Sequence, residues 1–132
     1  MTLKFINPAT LGPPSGFSNG VLTESGAKLL FIAGQIAWDA EQRIVSDDFV
    51  EQFDRALANV IAVVEAAGAS AAEITRLTIY VTNRDEYRAR TRELGERYRA
   101  RMGKHFPAMA LVEVKGLLDD RAKVEIEGVA AL

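Results

Sequence analysis

Apolar positions along this 132-residue chain switch between alternating, continuous and helical spacing, and each switch marks a change of element. Leu3–Ile6 reads as a short strand closed by Asn7-Pro8, and Thr10–Ser15 is turn-rich and reads as a surface loop. Phe17–Thr23 is a second strand, with Glu24-Ser25-Gly26-Ala27 as a hairpin turn into Lys28–Gly34. The run Leu29-Leu30-Phe31-Ile32-Ala33 is continuously apolar, as a strand covered on both faces would be. Gln35–Val45 follows as a loop that carries the only tryptophan, Trp38.

Phe49, Phe53, Leu57, Val60, Ile61 and Val64 recur at helical spacing and predict an amphipathic helix of roughly five turns. Asp48 followed three residues later by Glu51 can form a capping box at its start, and Ala66-Ala67-Gly68 ends it. Ile74–Val81 is β-branched and aromatic, a strand pattern. Asn83 with Glu86 repeats the capping pattern and opens a second helix to Met102, with Tyr87, Thr91, Leu94, Tyr98 and Met102 as its inward stripe. Met109–Val114 and Lys123–Val129 close the chain as two alternating strands joined by a short charged loop. The order β-β-β-α-β-α-β-β predicts an α+β fold, a single domain over 1–132 with one sheet and both helices on one face. Two helices cannot cover both faces of that sheet, so the pattern predicts self-association through the open face.

Composition narrows the chemistry. At 48% hydrophobic the chain is long and apolar enough for a real core. A net charge of −2 gives no global electrostatic reason to bind nucleic acid or an anionic membrane. The absence of cysteine excludes disulfides and thiolate chemistry. With His105 as the only histidine, a zinc site would rest mainly on carboxylates, so no metal or other cofactor is expected. Gly12-Pro13-Pro14-Ser15-Gly16 lacks the spacing and the Lys-Ser/Thr ending of a phosphate loop. The N-terminal residues lack the apolar stretch of a signal peptide, and no apolar run approaches the ~20 residues of a membrane span, so the expected location is cytoplasmic. What remains is a small-molecule site built from a carboxylate, backbone amides and an apolar pocket.

Several segments resemble one family in matching order. They are Asn7-Pro8, Phe31-Ile32-Ala33-Gly34-Gln35, the helix end Asn59–Gly68, Tyr80-Val81, Pro107-Ala108-Met109-Ala110-Leu111-Val112-Glu113-Val114, and Val124-Glu125-Ile126-Glu127. Together they resemble the YjgF/RidA family, also catalogued as reactive-intermediate (imine/enamine) deaminases and as L-PSP endoribonucleases. The resemblance implies a fold like chorismate mutase of the trimeric type, a homotrimer whose sheets line a central barrel, and ligand clefts between subunits.

In the deaminating members such a cleft holds an arginine for the substrate carboxylate, a Ser-Gly-Gln-like turn, a tyrosine, and a glutamate that positions water. By resemblance Glu125 matches the water-positioning glutamate and is the candidate catalytic residue. The turn is Ala33-Gly34-Gln35, with Gly34 and Gln35 as substrate-binding candidates and alanine where a hydroxyl residue is common. Phe17 stands at the tyrosine position, and Arg92 falls where a pocket asparagine is found. Met109 stands at the arginine position. A guanidinium–carboxylate pair is a strong, directional anchor, whereas a thioether offers soft packing. The expectation is therefore a bulkier or less acidic substrate than 2-iminopropionate, packed by Phe17, Trp38 and Met109, or an acid that reaches Arg92 instead.

Each signal also has a plainer reading. Glu125 and Glu127 alternate with Val124 and Ile126, as on any strand with one polar face. Met109 can be core filling, Trp38 a packing lid, and His105 a satisfied surface or interface histidine. Seven of the eleven arginines lie between Arg84 and Arg101, which could serve RNA phosphates. Interleaved Asp85, Glu86, Glu93 and Glu96, with Glu93–Arg97 at helix-pair spacing, favour a salt-bridged solvent face instead. The leading expectation is a RidA-like homotrimer acting by hydrolysis or proton transfer on an imine, enamine or related metabolite. A non-catalytic metabolite-binding or regulatory trimer is the alternative, and an endoribonuclease comes third.

Overall fold

The computed structural model describes residues 2–132. β1 (Lys4–Ile6) and β2 (Gly20–Leu22) pair antiparallel with each other as a separate two-stranded ribbon, Lys4 opposite Leu22. This corrects the expected hairpin between the second and third strands. The start of β3 (Leu29–Gln35) is instead closed by the chain's end: Lys28 and Leu132 exchange both backbone hydrogen bonds, at 2.9 and 2.8 Å. Pairing of such distant segments leaves no local trace in sequence.

The main sheet contains four strands in the order β3-β6-β4-β5, with β4 (Ile74–Val81), β5 (Ala108–Glu113) and β6 (Val124–Ala131). β6 runs antiparallel to both β3 and β4, and β4 runs parallel to β5. The last two strands, joined in sequence by the charged loop, are thus separated by β4 and do not pair with each other. The connection from Glu113 to Val124 is too long for a tight hairpin, which frees β6 to insert at the sheet centre.

α1 (Phe49–Ala66) buries all six residues of its predicted stripe, from Phe49 to Val64, against the sheet. The Asp48 side chain accepts from the Glu51 amide at 3.0 Å, and Gly68 takes the left-handed conformation (φ 84°) just past its end. The expected second helix is two: α2 (Arg84–Ala89) and α3 (Thr91–Met102), broken at Arg90 (φ −127°, ψ 28°). The Arg90 guanidinium bridges Asp48 at 2.6 Å and Glu93 at 2.7 Å, which ties the break to the start of α1. Leu94, Tyr98 and Met102 face inward as the stripe predicts, whereas Thr91 is exposed.

Three arginines of this region, Arg90, Arg97 and Arg101, fasten helix to helix. Arg97 reaches Glu51 at 2.5 Å and Asp54 at 3.1 Å, and Arg101 reaches Asp54 at 2.7 Å, all on α1. The Glu93–Arg97 pair that spacing predicted is replaced by Arg90–Glu93 and by these cross-helix contacts. Their effect shows on Asp54, whose carboxyl is held below its ordinary range, first by the hydrogen bond from Arg101.

The helices cover one face of the sheet. Leu77, Ile79 and Val81 of β4 and Val124 and Ile126 of β6 point into that core. The other face shows Arg76, Thr78 and Tyr80 of β4, Glu125, Glu127 and Val129 of β6, and Phe31 of β3. Phe31 is 74% exposed while its neighbour Ile32 is 3% exposed, so β3 is covered on one face only in a single chain. No helix among the described residues is long and apolar enough to cross a membrane.

Candidate functional site

The open face gathers two of the sequence-derived candidate segments at one place. The register of β3 on β6 shifts between Ile32 and Gln35, a bulge that brings Gly34 against Glu125. The approach is so close that a methyl group on Gly34 would lie 2.5 Å from Glu125 Oε1 and 2.8 Å from its Cδ. Gly34 is not among the glycines with positive φ, so its lack of a side chain answers to the carboxylate beside it and not to backbone conformation. Gln35 donates its side-chain amide to the Ala33 carbonyl at 3.1 Å, which stiffens the same turn.

The two glutamates of this face differ in their surroundings. Glu127 accepts the Tyr80 phenol proton in a short hydrogen bond, which raises the phenol above its ordinary pKa. Among the described residues, Glu125 has no ion pair or hydrogen-bond partner and is half-buried beside Gly34 and across from Tyr80. One carboxylate is therefore engaged and the other has no partner among the described residues.

The remaining candidates lie elsewhere. Met109 is level with Leu77 on β5, so it points to the helix side, opposite Glu125. There it floors a pocket of about 400 Å³ between the sheet and the helices. Phe17 lines a neighbouring depression with Phe5, Pro14 and Phe106. It is fixed to the start of β5 by Ser18, whose amide donates to the Pro107 carbonyl at 3.0 Å and whose hydroxyl donates to Phe106 at 2.6 Å. Trp38 packs with Ile36, Ile44 and Leu117 in a small second cluster. The Arg92 side chain is 93% exposed, with Glu96 at 3.6 Å. A single chain thus joins Gly34, Gln35 and Glu125, and leaves Phe17, Trp38, Arg92 and Met109 apart from them.

Reasoning from sequence missed Gln52. It is fully buried, donates to the carbonyls of Ser46 (2.8 Å) and Arg121 (2.9 Å), and accepts from the Lys123 amide (2.8 Å). It therefore fixes the entry to β6 two residues before Glu125. Its only sequence signal is a polar residue beside Phe53 on the inward side of α1. His105 is used structurally: its ring lies 2.7 Å from the Ile74 carbonyl. No group of three or more His, Asp or Glu side chains able to hold a metal occurs among the described residues.

The profile of the family described as Endoribonuclease L-PSP matches residues 9–132. The chain belongs to this family. The 2-iminobutanoate/2-iminopropanoate deaminase of Salmonella typhimurium is 33% identical over 126 residues, which cover 93% of this chain and 90% of that protein. Among solved structures, the Rid-family protein YyfB of Yersinia pestis, whose function is unknown, is similar with a TM-score of 0.88 at 34% identity over all of both chains. TdcF of Escherichia coli with bound serine gives a TM-score of 0.68 at 28% identity, covering 92% of this chain and 91% of that one. The α+β arrangement described above is accordingly the chorismate-mutase-like fold of the L-PSP family. The Gly34–Glu125 contact of this L-PSP chain lies in two of the segments, Phe31–Gln35 and Val124–Glu127, that carried the family resemblance.

Proposed function

We propose that this protein acts on a small imine, enamine or related metabolite, with Glu125 as general acid and base. The observation that carries this reading is the unpartnered Glu125 carboxylate over the bare backbone of Gly34, beside a Glu127 already engaged by Tyr80. In the hydrolytic form Glu125 takes a proton from water as the oxygen adds to the C=N carbon. It returns that proton to the nitrogen to give a carbinolamine, and then relays the hydroxyl proton to the same nitrogen as the C–N bond breaks, releasing ammonia and the carbonyl compound. In the tautomerising form it moves one proton between carbon and nitrogen. The similarity to an iminobutanoate/iminopropanoate deaminase and to a serine-binding protein supports a small nitrogen-bearing ligand.

The substrate differs from a simple imino acid in this reading, because Met109 stands where the deaminating members hold arginine. Losing a desolvated guanidinium–carboxylate pair costs about 2–5 kcal/mol, or roughly 30- to several-thousand-fold in binding. The cleft is completed by further copies in a homotrimer. Phe31, 74% exposed on the same face as Glu125, supports such a covering surface.

The test is a panel of imines and enamines, graded from 2-iminopropionate to neutral and bulkier compounds, assayed for ammonia release with the native chain and Glu125→Gln. The reading expects turnover of the less acidic members and its loss, by about 100-fold or more, in the variant. Equal turnover by Glu125→Gln removes the carboxylate from the mechanism. Saturable binding of panel members without product would favour a binding or regulatory trimer, which the absence of hydroxyls at Phe17 and Ala33 also supports.

A further inference from the structure

Tyr80 stands against the Glu125 site with a chemistry of its own. β4 and β6 pair antiparallel, with Tyr80 directly opposite Glu125 and Thr78 opposite Glu127. Side chains of such a pair leave the sheet on one face, with their Cβ atoms about 5 Å apart. The Tyr80 ring therefore rises beside the stem of Glu125, and its hydroxyl reaches diagonally back to donate to Glu127 Oε1. That hydrogen bond, then desolvation and the charges of Glu127 and Glu125, raise the phenol pKa, while Arg76 acts against them. The phenol accordingly keeps its proton at neutral pH. It has only one, and Glu127 takes it, so the Tyr80 oxygen offers lone pairs alone to anything bound beside Glu125. Tyr80, Glu127 and Phe31 line one groove of about 290 Å³ on this face, at the small end of ligand sites.

An imine nitrogen that bears a hydrogen matches these two groups. Its lone pair takes the proton that Glu125 carries, and its hydrogen is left for an acceptor. We propose that Tyr80 is a substrate-binding residue that accepts the N–H of an unsubstituted imine, so that the site selects N–H imines over N-alkylated ones. This inference rests on the Glu125 reaction proposed above and names the substrate class more narrowly. The hydrogen bond persists through that reaction, because imine, carbinolamine and departing ammonia all keep an N–H. No bond forms or breaks at Tyr80. Glu127 is the positioning residue, since it aims the phenol proton away from the nitrogen.

The test compares benzophenone imine with its N-methyl derivative, following loss of imine absorbance above the uncatalysed rate. It uses the native chain, Tyr80→Phe, Glu127→Gln and Glu125→Gln. Tyr80→Phe should lower kcat/KM for the N–H imine about tenfold and leave the N-methyl imine within about twofold. Glu127→Gln should act in the same way, because its amide donates to the phenol oxygen and turns the phenol proton outward. It also serves as the test if Tyr80→Phe does not fold. A merely structural role would lower both imines alike. Equal losses for the two imines, or no loss for either, would overturn the proposal. If Glu125→Gln abolishes turnover while the other two variants do not discriminate between the imines, this inference alone fails. Native turnover by Glu125→Gln, or an inactive native chain, contradicts the Glu125 reaction and this inference with it.

Discussion

Gly34→Ala separates the placement of Glu125 from the stability of the fold. The added methyl would sit 2.5 Å from Oε1, 2.8 Å from Cδ and 3.0 Å from Cγ of Glu125, well inside any van der Waals contact. The three nearest atoms all belong to one flexible side chain, so the carboxylate yields and the backbone does not. Turning Glu125 to a less favoured rotamer costs about 0.5–1.5 kcal/mol. Against this, alanine in a strand gains roughly 0.5–1 kcal/mol over glycine through the unfolded chain's entropy. The net change in stability is therefore about 1 kcal/mol or less, a shift in Tm of only a few degrees. Turnover should fall far more, because a 1 Å displacement of a catalytic group can cost on the order of 100-fold. Thermal denaturation and ammonia release from the best panel substrate, on the same preparation, give both numbers. A variant with native turnover, or one destabilised by several kcal/mol, would refute the reasoning.

Gly128→Ala provides the contrast, since its methyl would lie 2.8 Å from the backbone oxygen of Arg76 and 3.1 Å from a Leu77 methyl. Backbone cannot step aside, so a loss of about 1–3 kcal/mol is expected in chemical denaturation. Gln52→Leu strands the Ser46 and Arg121 carbonyls and the Lys123 amide in the interior, and should cost about 3 kcal/mol or more by the same measurement. Asp54, held below its ordinary pKa chiefly by Arg101, is charged in the native pair, so its contribution is complete well above pH 3.8 and disappears as pH falls through the lower native value. Stability measured from pH 6 to 2 should therefore drop less steeply in Asp54→Asn than in the native chain.

How much of this was legible beforehand follows the range of each interaction. The stripe Phe49–Val64, the caps at Asp48 and Asn83, and the alternation in Ile74–Val81 are local patterns, and the structure repeats them. The β1–β2 ribbon, the insertion of β6 between β3 and β4, and the break at Arg90 depend on distant partners. The run Leu29–Ala33 read as a doubly covered strand, yet Phe31 lies bare on a single chain. At the site, residue types in Gly34-Gln35 and Val124–Glu127 were readable, but their contact requires the bulge in β3.

The central claim is that the open face bearing Phe31 and Glu125 is closed by further copies of the chain, which turns a half-buried carboxylate into a cleft residue. Light scattering on the purified protein at micromolar concentration tests it most directly. The account predicts a particle three times the 14.4 kDa chain mass. A stable monomer near 14.4 kDa, with Phe31 left in water, would contradict it.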